Sequence, residues 1–160
     1  MASTIRPYRT GDLGRCVALH AGYYAQYWSF GRDFEAKVAA GMAEFIPRLA
    51  DPGNGWWSAD VDGTYVGSVA IDDEGGGRAH LRWFIVDQAS HGEGVGGALM
   101  GHAVDHCRSR HFRLVYLDTF EGLDAARRLY ERAGFRLVHE QQGTTWGPEM
   151  TEQRFEWAPS

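Results

Sequence analysis

A short run, His91-Gly92-Glu93-Gly94-Val95-Gly96-Gly97, stands between a strand-like apolar segment and an amphipathic helix, and it restricts the folds open to this chain more than any other feature. The segment before it, Ala79 to Val86, is apolar enough for the centre of a sheet. The helix after it, roughly Gly94 to Arg110, carries Val95, Leu99, Ala103 and Val104 on one face. A helix that opens on glycines leaves its first amide groups unpaired at the positive end of the helix dipole, which suits a phosphate. Glycine also lets the backbone approach an anion closely and adopt positive φ. These residues predict a phosphate-bearing ligand bound by a strand-loop-helix unit.

The rest of the chain supplies the context for that unit. Ile5 to Arg9 reads as a short strand ended by Thr10-Gly11-Asp12, with Asp12 as the cap of a helix to about Trp28. Leu13, Val17 and the Leu19-His20 pair fall near its buried face. A second helix starts near Asp33 and carries Phe34, Val38, Met42, Phe45 and Ile46 at helical spacing, with Pro47 near its end. After the Asp51 to Gly55 loop, strands Trp56–Val61 and Thr64–Ile71 are joined by the hairpin dipeptide Asp62-Gly63. Asp72 to Arg78 is expected to be a mobile, glycine-rich turn. Beyond the glycine-opened helix come a strand from Phe112 to Asp118, a helix from Leu123 to Ala133 stopped by Gly134, and strands Phe135–Glu140 and Glu152–Trp157. The order is βααβββαβαββ, an α/β domain over residues 1–160 with a mixed, mostly antiparallel sheet flanked by helices.

Composition narrows the function. At 160 residues the chain can build one ordinary core. A formal charge of −5 with no clustered basic stripe argues against a nucleic-acid partner and is compatible with a cationic substrate such as an amine. Cys16 and Cys107 are too few and too far apart for a metal site or a disulfide framework, which points to a reducing compartment. The N-terminus lacks a signal-peptide core, and no run approaches a membrane span, so the expected location is cytoplasmic.

Gly92, Gly94 and Gly97 also satisfy the dinucleotide fingerprint G-x-G-x-x-G, with Asp118 about 20 residues further on. Three features oppose that reading. Asp87 to His91 separate the strand from the first glycine, too little chain follows for the remaining strands, and the preceding strands are joined by tight turns.

The same segment resembles the coenzyme A signature of the GNAT family of N-acetyltransferases, Q/R-x-x-G-x-G/A, with His91 in the Q/R position. A second motif of that family, A-x-x-L-Y-x-x-x-G-F, stands as Ala126-Arg127-Arg128-Leu129-Tyr130-Glu131-Arg132-Ala133-Gly134-Phe135. The resemblance extends over nearly the whole order of elements. The stretch Thr119 to Asp124 is similar to acetyltransferase domains found fused to MarR-type regulators.

The resemblance implies a use of acetyl-CoA, no metal, and acetyl transfer to the amine of a small molecule or peptide by direct attack. Backbone groups of Phe84, Ile85 and Val86 would pair with the pantetheine arm. Those of His91, Gly92, Glu93, Gly94, Val95, Gly96 and Gly97 would hold the pyrophosphate. Tyr130 would protonate the departing thiolate, and a strand amide, that of Ile85, would polarise the thioester carbonyl. A homodimer is common in the resembling family.

The chain departs from the family pattern at His91, whose ring could still donate to phosphate, at Gln88 in place of proline, and at Leu123 in place of an asparagine that contacts pantetheine. Glu35, His80, Asp118 and Glu121 are the candidate bases. His20, His102, His106 and His111 are assigned only surface or helix-end positions. Tyr23, Tyr24, Tyr27, Trp28 and Phe30 form either an aromatic pocket wall or a dimer contact, and Trp146-Gly147 faces the same cleft or an exchanged strand. The rival reading is a non-catalytic acyl-CoA-binding sensor module.

Overall fold

The computed structural model describes residues 3–159. Its elements run β1 (Ser3–Pro7), α1 (Asp12–Trp28), α2 (Arg32–Phe45), β2 (Gly55–Val61), β3 (Thr64–Gly75), β4 (Arg78–Val86), α3 (Val95–Ser109), β5 (Leu114–Phe120), α4 (Asp124–Ala133), β6 (Arg136–Gly143) and β7 (Met150–Trp157). This is the order expected from the sequence. All the strands join one sheet in the order β1-β2-β3-β4-β5-β7-β6. Every neighbouring pair is antiparallel except β4–β5, which α3 connects and which is parallel.

The sheet carries a core on each face. One forms against α3 and α4 from Val69, Ile71, Leu81, Val95, Leu99, Val115, Leu117, Phe135 and Phe155. The other forms against α1 and α2, where Phe34, Val38, Met42 and Phe45 recur at helical spacing and meet Trp56, Ala70 and Ile85. Complete burial of side chains such as Phe45, Leu99 and Phe155 contributes about 1.5–3 kcal/mol each to folding.

Three local expectations change. The helix α1 is capped by Gly11, and Asp12 is its first residue and wholly buried. The Asp12 carboxylate accepts hydrogen bonds from the Arg6 guanidinium at 2.8 and 3.0 Å, the Arg9 amide at 3.0 Å and the Ser58 hydroxyl at 2.9 Å. Burial alone would raise its pKa, but these donors hold it below the usual carboxylate range. The Arg9 bond also explains why β1 stops at Pro7, because that amide serves Asp12 instead of continuing a strand. Finally, Asp72 to Arg78 is not a long turn. β3 and β4 pair as far as Gly75 and Arg78, leaving Gly76 and Gly77 to reverse the chain at positive φ.

Candidate active site

The site begins where the parallel pair opens. β4 and β5 are in register only across Arg78–Leu114, Ala79–Val115 and His80–Tyr116. Beyond that point β5 continues antiparallel to β7 through Phe120, while β4 stays with β3. The two strands splay and leave the facing backbone edges without a neighbour.

A bulge in β4 sharpens the divergence. Ser68 pairs with Ile85 but Ala70 pairs with Arg82, so Trp83 and Phe84 share the place opposite Val69. Such a bulge bends its strand and increases local twist. Trp83 takes φ 51, a left-handed conformation that costs a bulky residue about 1–3 kcal/mol. Packing offsets that strain: the indole lies against Phe45 and Trp56, with the Arg82 guanidinium 4.1 Å from its centroid. The extra residue also resets which face each side chain takes. Leu81, Phe84 and Val86 pack toward α3, whereas Trp83 and Ile85 pack toward α1 and α2.

Backbone alternation decides what faces the opening. The Asp87 amide donates to Val66 O at 2.7 Å, so Val66–Asp87 is a hydrogen-bonded pair and Ser68–Ile85 is the next one. The peptide groups of Phe84 and Val86 are thereby directed away from β3, toward the cleft. The Ile85 peptide group belongs to the β3 ladder, opposite Ser68. Val86 O already has a partner in the His91 ring Nε2, 3.0 Å away.

The cleft between the strands is about 740 Å³. Its α3 end is closed by the glycine loop. A short 3-10 turn, Gln88–Ser90, is fixed by the Asp87 side chain, which accepts from Ala89 N. His91 N and Glu93 N are spent within this turn, on Gln88 O and Ser90 O. Gly92 and Gly94 follow at φ 85 and 79, where only glycine sits without strain. α3 then starts with no side-chain cap, so the amides of Val95, Gly96 and Gly97 have no carbonyl one turn earlier within the helix. Of the seven residues from His91 to Gly97, Glu93 alone does not line the cleft. At Gly96 a Cβ would come within 2.8 Å of Leu129 Cδ1, so glycine there also admits α4.

Tyr130 of α4 lies midway, its ring packed near Phe84, Phe135 and Phe155. It is 6% exposed and lines the cleft. Burial pushes its pKa up, which keeps the phenol protonated at neutral pH.

The far end is made by side chains from several elements. Tyr23, Tyr24, Phe34, Phe120 and Trp146 line it, with Phe120 and Trp146 5.6 Å apart. Of the aromatic crowd in and after α1, Tyr23 and Tyr24 therefore face the cleft, Phe30 is core, Trp28 packs on Phe120, and Tyr27 is exposed. Trp146 faces the cleft as well. Burial and the nearby phenols of Tyr130 and Tyr23 raise the pKa of Tyr24.

Among the four proposed bases, His80 and Asp118 line the cleft, while Glu35 and Glu121 are exposed and do not. Asp118 is held by a two-pronged bond from Arg154 at 2.8 and 3.1 Å. His80 stacks on Tyr116, and burial together with Arg82 pushes its pKa down to about 4. His20 is neither a surface nor a helix-end residue: it is 6% exposed and lines the same cleft. Helical spacing had set the Leu19-His20 pair near the buried face of α1, and the four-residue line of Asp12, Cys16, His20 and Tyr24 carries that placement. Among the described residues, no cluster of His, Cys, Asp and Glu could hold a metal ion.

Comparison with known proteins matches residues 20–135 to the family model described as "Acetyltransferase (GNAT) family". N-acetylaspartate synthetase of Danio rerio is 33% identical over 142 residues, which is 88% of this chain and 50% of that protein. The chain spans about half the length of that relative. Among solved structures, Ard1 from Thermoplasma volcanium superposes with a TM-score of 0.80 at 19% identity, covering 100% of this chain and 99% of its own. Phosphinothricin acetyltransferase of Sinorhizobium meliloti, in complex with AcCoA, gives 0.79 at 17% identity, covering 100% and 90%. At such identities the likeness is one of fold.

Proposed function

The chain belongs to the GNAT acetyltransferase family, and from that premise we propose that it transfers the acetyl group of acetyl-CoA to a primary amine of a small molecule or peptide. The observation that carries the reading is the splayed β4–β5 pair, closed at one end by the glycine-opened α3 and lined midway by Tyr130. In this reading acetyl-CoA is a substrate that fits the shape and chemistry of the cleft. Its pantetheine arm pairs with the backbone of Phe84 and Val86 as an added strand, with Ile85 in the wall beside them. Its pyrophosphate lies on the amides of Gly92, Gly94, Val95, Gly96 and Gly97, while His91 and Glu93 fix the loop. The amine attacks the thioester directly, and Tyr130 gives its proton to the departing sulfur.

The aromatic space beyond Tyr130 favours an enzyme over a sensor module, since sensing acyl-CoA leaves no use for an acceptor chamber. We read residues 1–160 as one catalytic domain working in the cytoplasm, supported by two buried free thiols, Cys16 and Cys107. A homodimer belongs to the same proposal, with the exposed edge strand β6 as the surface available to a second copy. Light scattering on the purified protein reads that state directly.

Calorimetric titration with acetyl-CoA, with NADH as control, tests the cradle. Thiol release over an amine panel tests the reaction, and the name of the Danio rerio relative makes aspartate the first amine to try. No acetyl-CoA binding would end both the enzyme and the sensor readings. Tyr130→Phe should leave acetyl-CoA affinity unchanged and lower kcat about thirtyfold, less than many acid catalysts because a thiolate leaves readily. An unchanged kcat would remove Tyr130 from the reaction.

A further inference from the structure

We propose that His20 is the catalytic base of this cleft: its Nε2 takes the proton that the acceptor amine sheds as it attacks the thioester. The inference rests on the acetyltransferase reading and assigns it a residue that neither family motif contains.

The first argument is the tautomer. His20 Nδ1 lies 2.9 Å from Cys16 O, a carbonyl oxygen that can only accept. The proton of the neutral ring therefore sits on Nδ1, and Nε2 keeps a free lone pair. Burial disfavours the charged ring and pushes its pKa down to about 4, so the lone pair is present throughout the neutral range.

The second argument is direction. Among the described residues Nε2 has no hydrogen-bond partner, yet none of their fully enclosed side-chain polar atoms lacks one. Nε2 must therefore reach open space, and the space that His20 borders is the cleft. A histidine sealed wholly inside the core would leave Nε2 as an enclosed atom without a partner, and none is present among the described residues.

The third argument is rigidity. The ring stacks on Tyr24, with centroids 6.1 Å apart and planes 26° off parallel. Cys16 Sγ lies 3.5 Å from Nδ1 and 3.2 Å from Ser68 Oγ, which is itself 2.8 Å from the Tyr65 hydroxyl. This chain fixes the ring from behind and offers Nε2 no competing donor.

His80, which also lines the cleft and whose pKa is likewise pushed down, is less suited. Its Nδ1 is 3.6 Å from Glu74 and its Nε2 is 4.0 Å from Asp118, so either lone pair would face a carboxylate.

The chemistry balances. The neutral amine forms a C–N bond to the thioester carbon, and its nitrogen becomes far more acidic as it does so. A weak base is then sufficient, and that proton passes to His20 Nε2. Collapse of the adduct breaks the C–S bond, and the sulfur receives the Tyr130 proton. Water in the cleft returns the His20 proton to Tyr130. The net change is amine plus acetyl-CoA to amide plus free thiol.

Two measurements test this. Long-range proton–nitrogen correlation spectra of the labelled protein at pH 7, assigned with His20→Gln, should show His20 protonated at Nδ1 and bare at Nε2. The opposite tautomer overturns the proposal. In turnover with a saturating amine, His20→Gln and His20→Ala should bind acetyl-CoA within twofold of wild type and lose kcat on the order of 100-fold. Added imidazole should partly restore His20→Ala, while glutamine, which cannot take a proton, should fail to substitute. A kcat unchanged in both variants overturns the base assignment alone. A wild-type protein that binds no acetyl-CoA overturns the acetyltransferase reading first, and the base falls with it.

Discussion

At the α3 end of the cleft the unpaired polar groups are the peptide amides of an uncapped helix start, set by glycines close together in the chain. At the α1 end the lining groups are side chains: His20 and Tyr24 from one helix, Phe34 from another, Phe120 from a strand and Trp146 from a loop. The first end depends on backbone conformation over a few residues, and most side-chain changes there should be harmless. The second depends on how distant elements pack, and it can be altered by residues that never touch a ligand. An enzyme built this way can hold one coenzyme firmly while its acceptor chamber varies.

Asp12 offers the strongest way to separate the two ends. It ties α1 to β1 and β2 through Arg6 and Ser58, far along the chain from the glycine loop. Asp12→Asn leaves Arg6 facing one carboxylate fewer in a largely buried setting and should cost about 3 kcal/mol, on the order of 6–12 °C in Tm. Acceptor KM should rise with the loosened α1, while acetyl-CoA affinity measured below the melting range stays near wild type. Acid should act in the same direction. The carboxyls of Asp12 and Asp72 are both held below the usual range by arginines. Their stabilisation is therefore complete above about pH 4, near the unfolded value, and is lost as pH falls through the folded values. Thermal melts from pH 6 down to pH 3 would show it, and Asp12→Asn should flatten that dependence.

Gly94→Val attacks the other end. A Cβ there meets nothing within 4 Å, so the cost is the left-handed φ of 79 alone. Valine should pull the loop out of shape and weaken acetyl-CoA about a hundredfold, near 2.7 kcal/mol, with the fold retained. Calorimetry that finds an unchanged affinity would show that the loop is not the cradle.

Trp146→Ala is the matching change at the acceptor end. Acceptor KM should rise about tenfold through lost aromatic contact, with acetyl-CoA affinity unaffected. Equal losses for both ligands would erase the distinction between the two ends. The smallest effect is expected from His91→Gln, within about threefold in acetyl-CoA affinity, because the cradle donors are backbone amides and the His91 amide is already bonded in the loop.

What could be read directly from the chain was local. Alternating and helical apolar spacing gave the order of all the elements, and Gly92, Gly94 and the Ala126 to Phe135 motif marked the loop and the helix that border the cleft. Periodicity and glycine chemistry act over a few residues, so they survive without knowledge of the fold. The bulge at Trp83, the pairing of Ile85 with Ser68 and the position of His20 on the cleft do not have that property. A bulge depends on the neighbouring strand, and the buried Cys16 and His20 are accommodated only where Ser68 of β3 meets Cys16 and the cleft opens beside His20. The glycine-loop end was legible because it is built from residues adjacent in the chain. The acceptor end took shape only in three dimensions, because its groups are separated by up to 126 positions and converge only when the sheet brings their elements together.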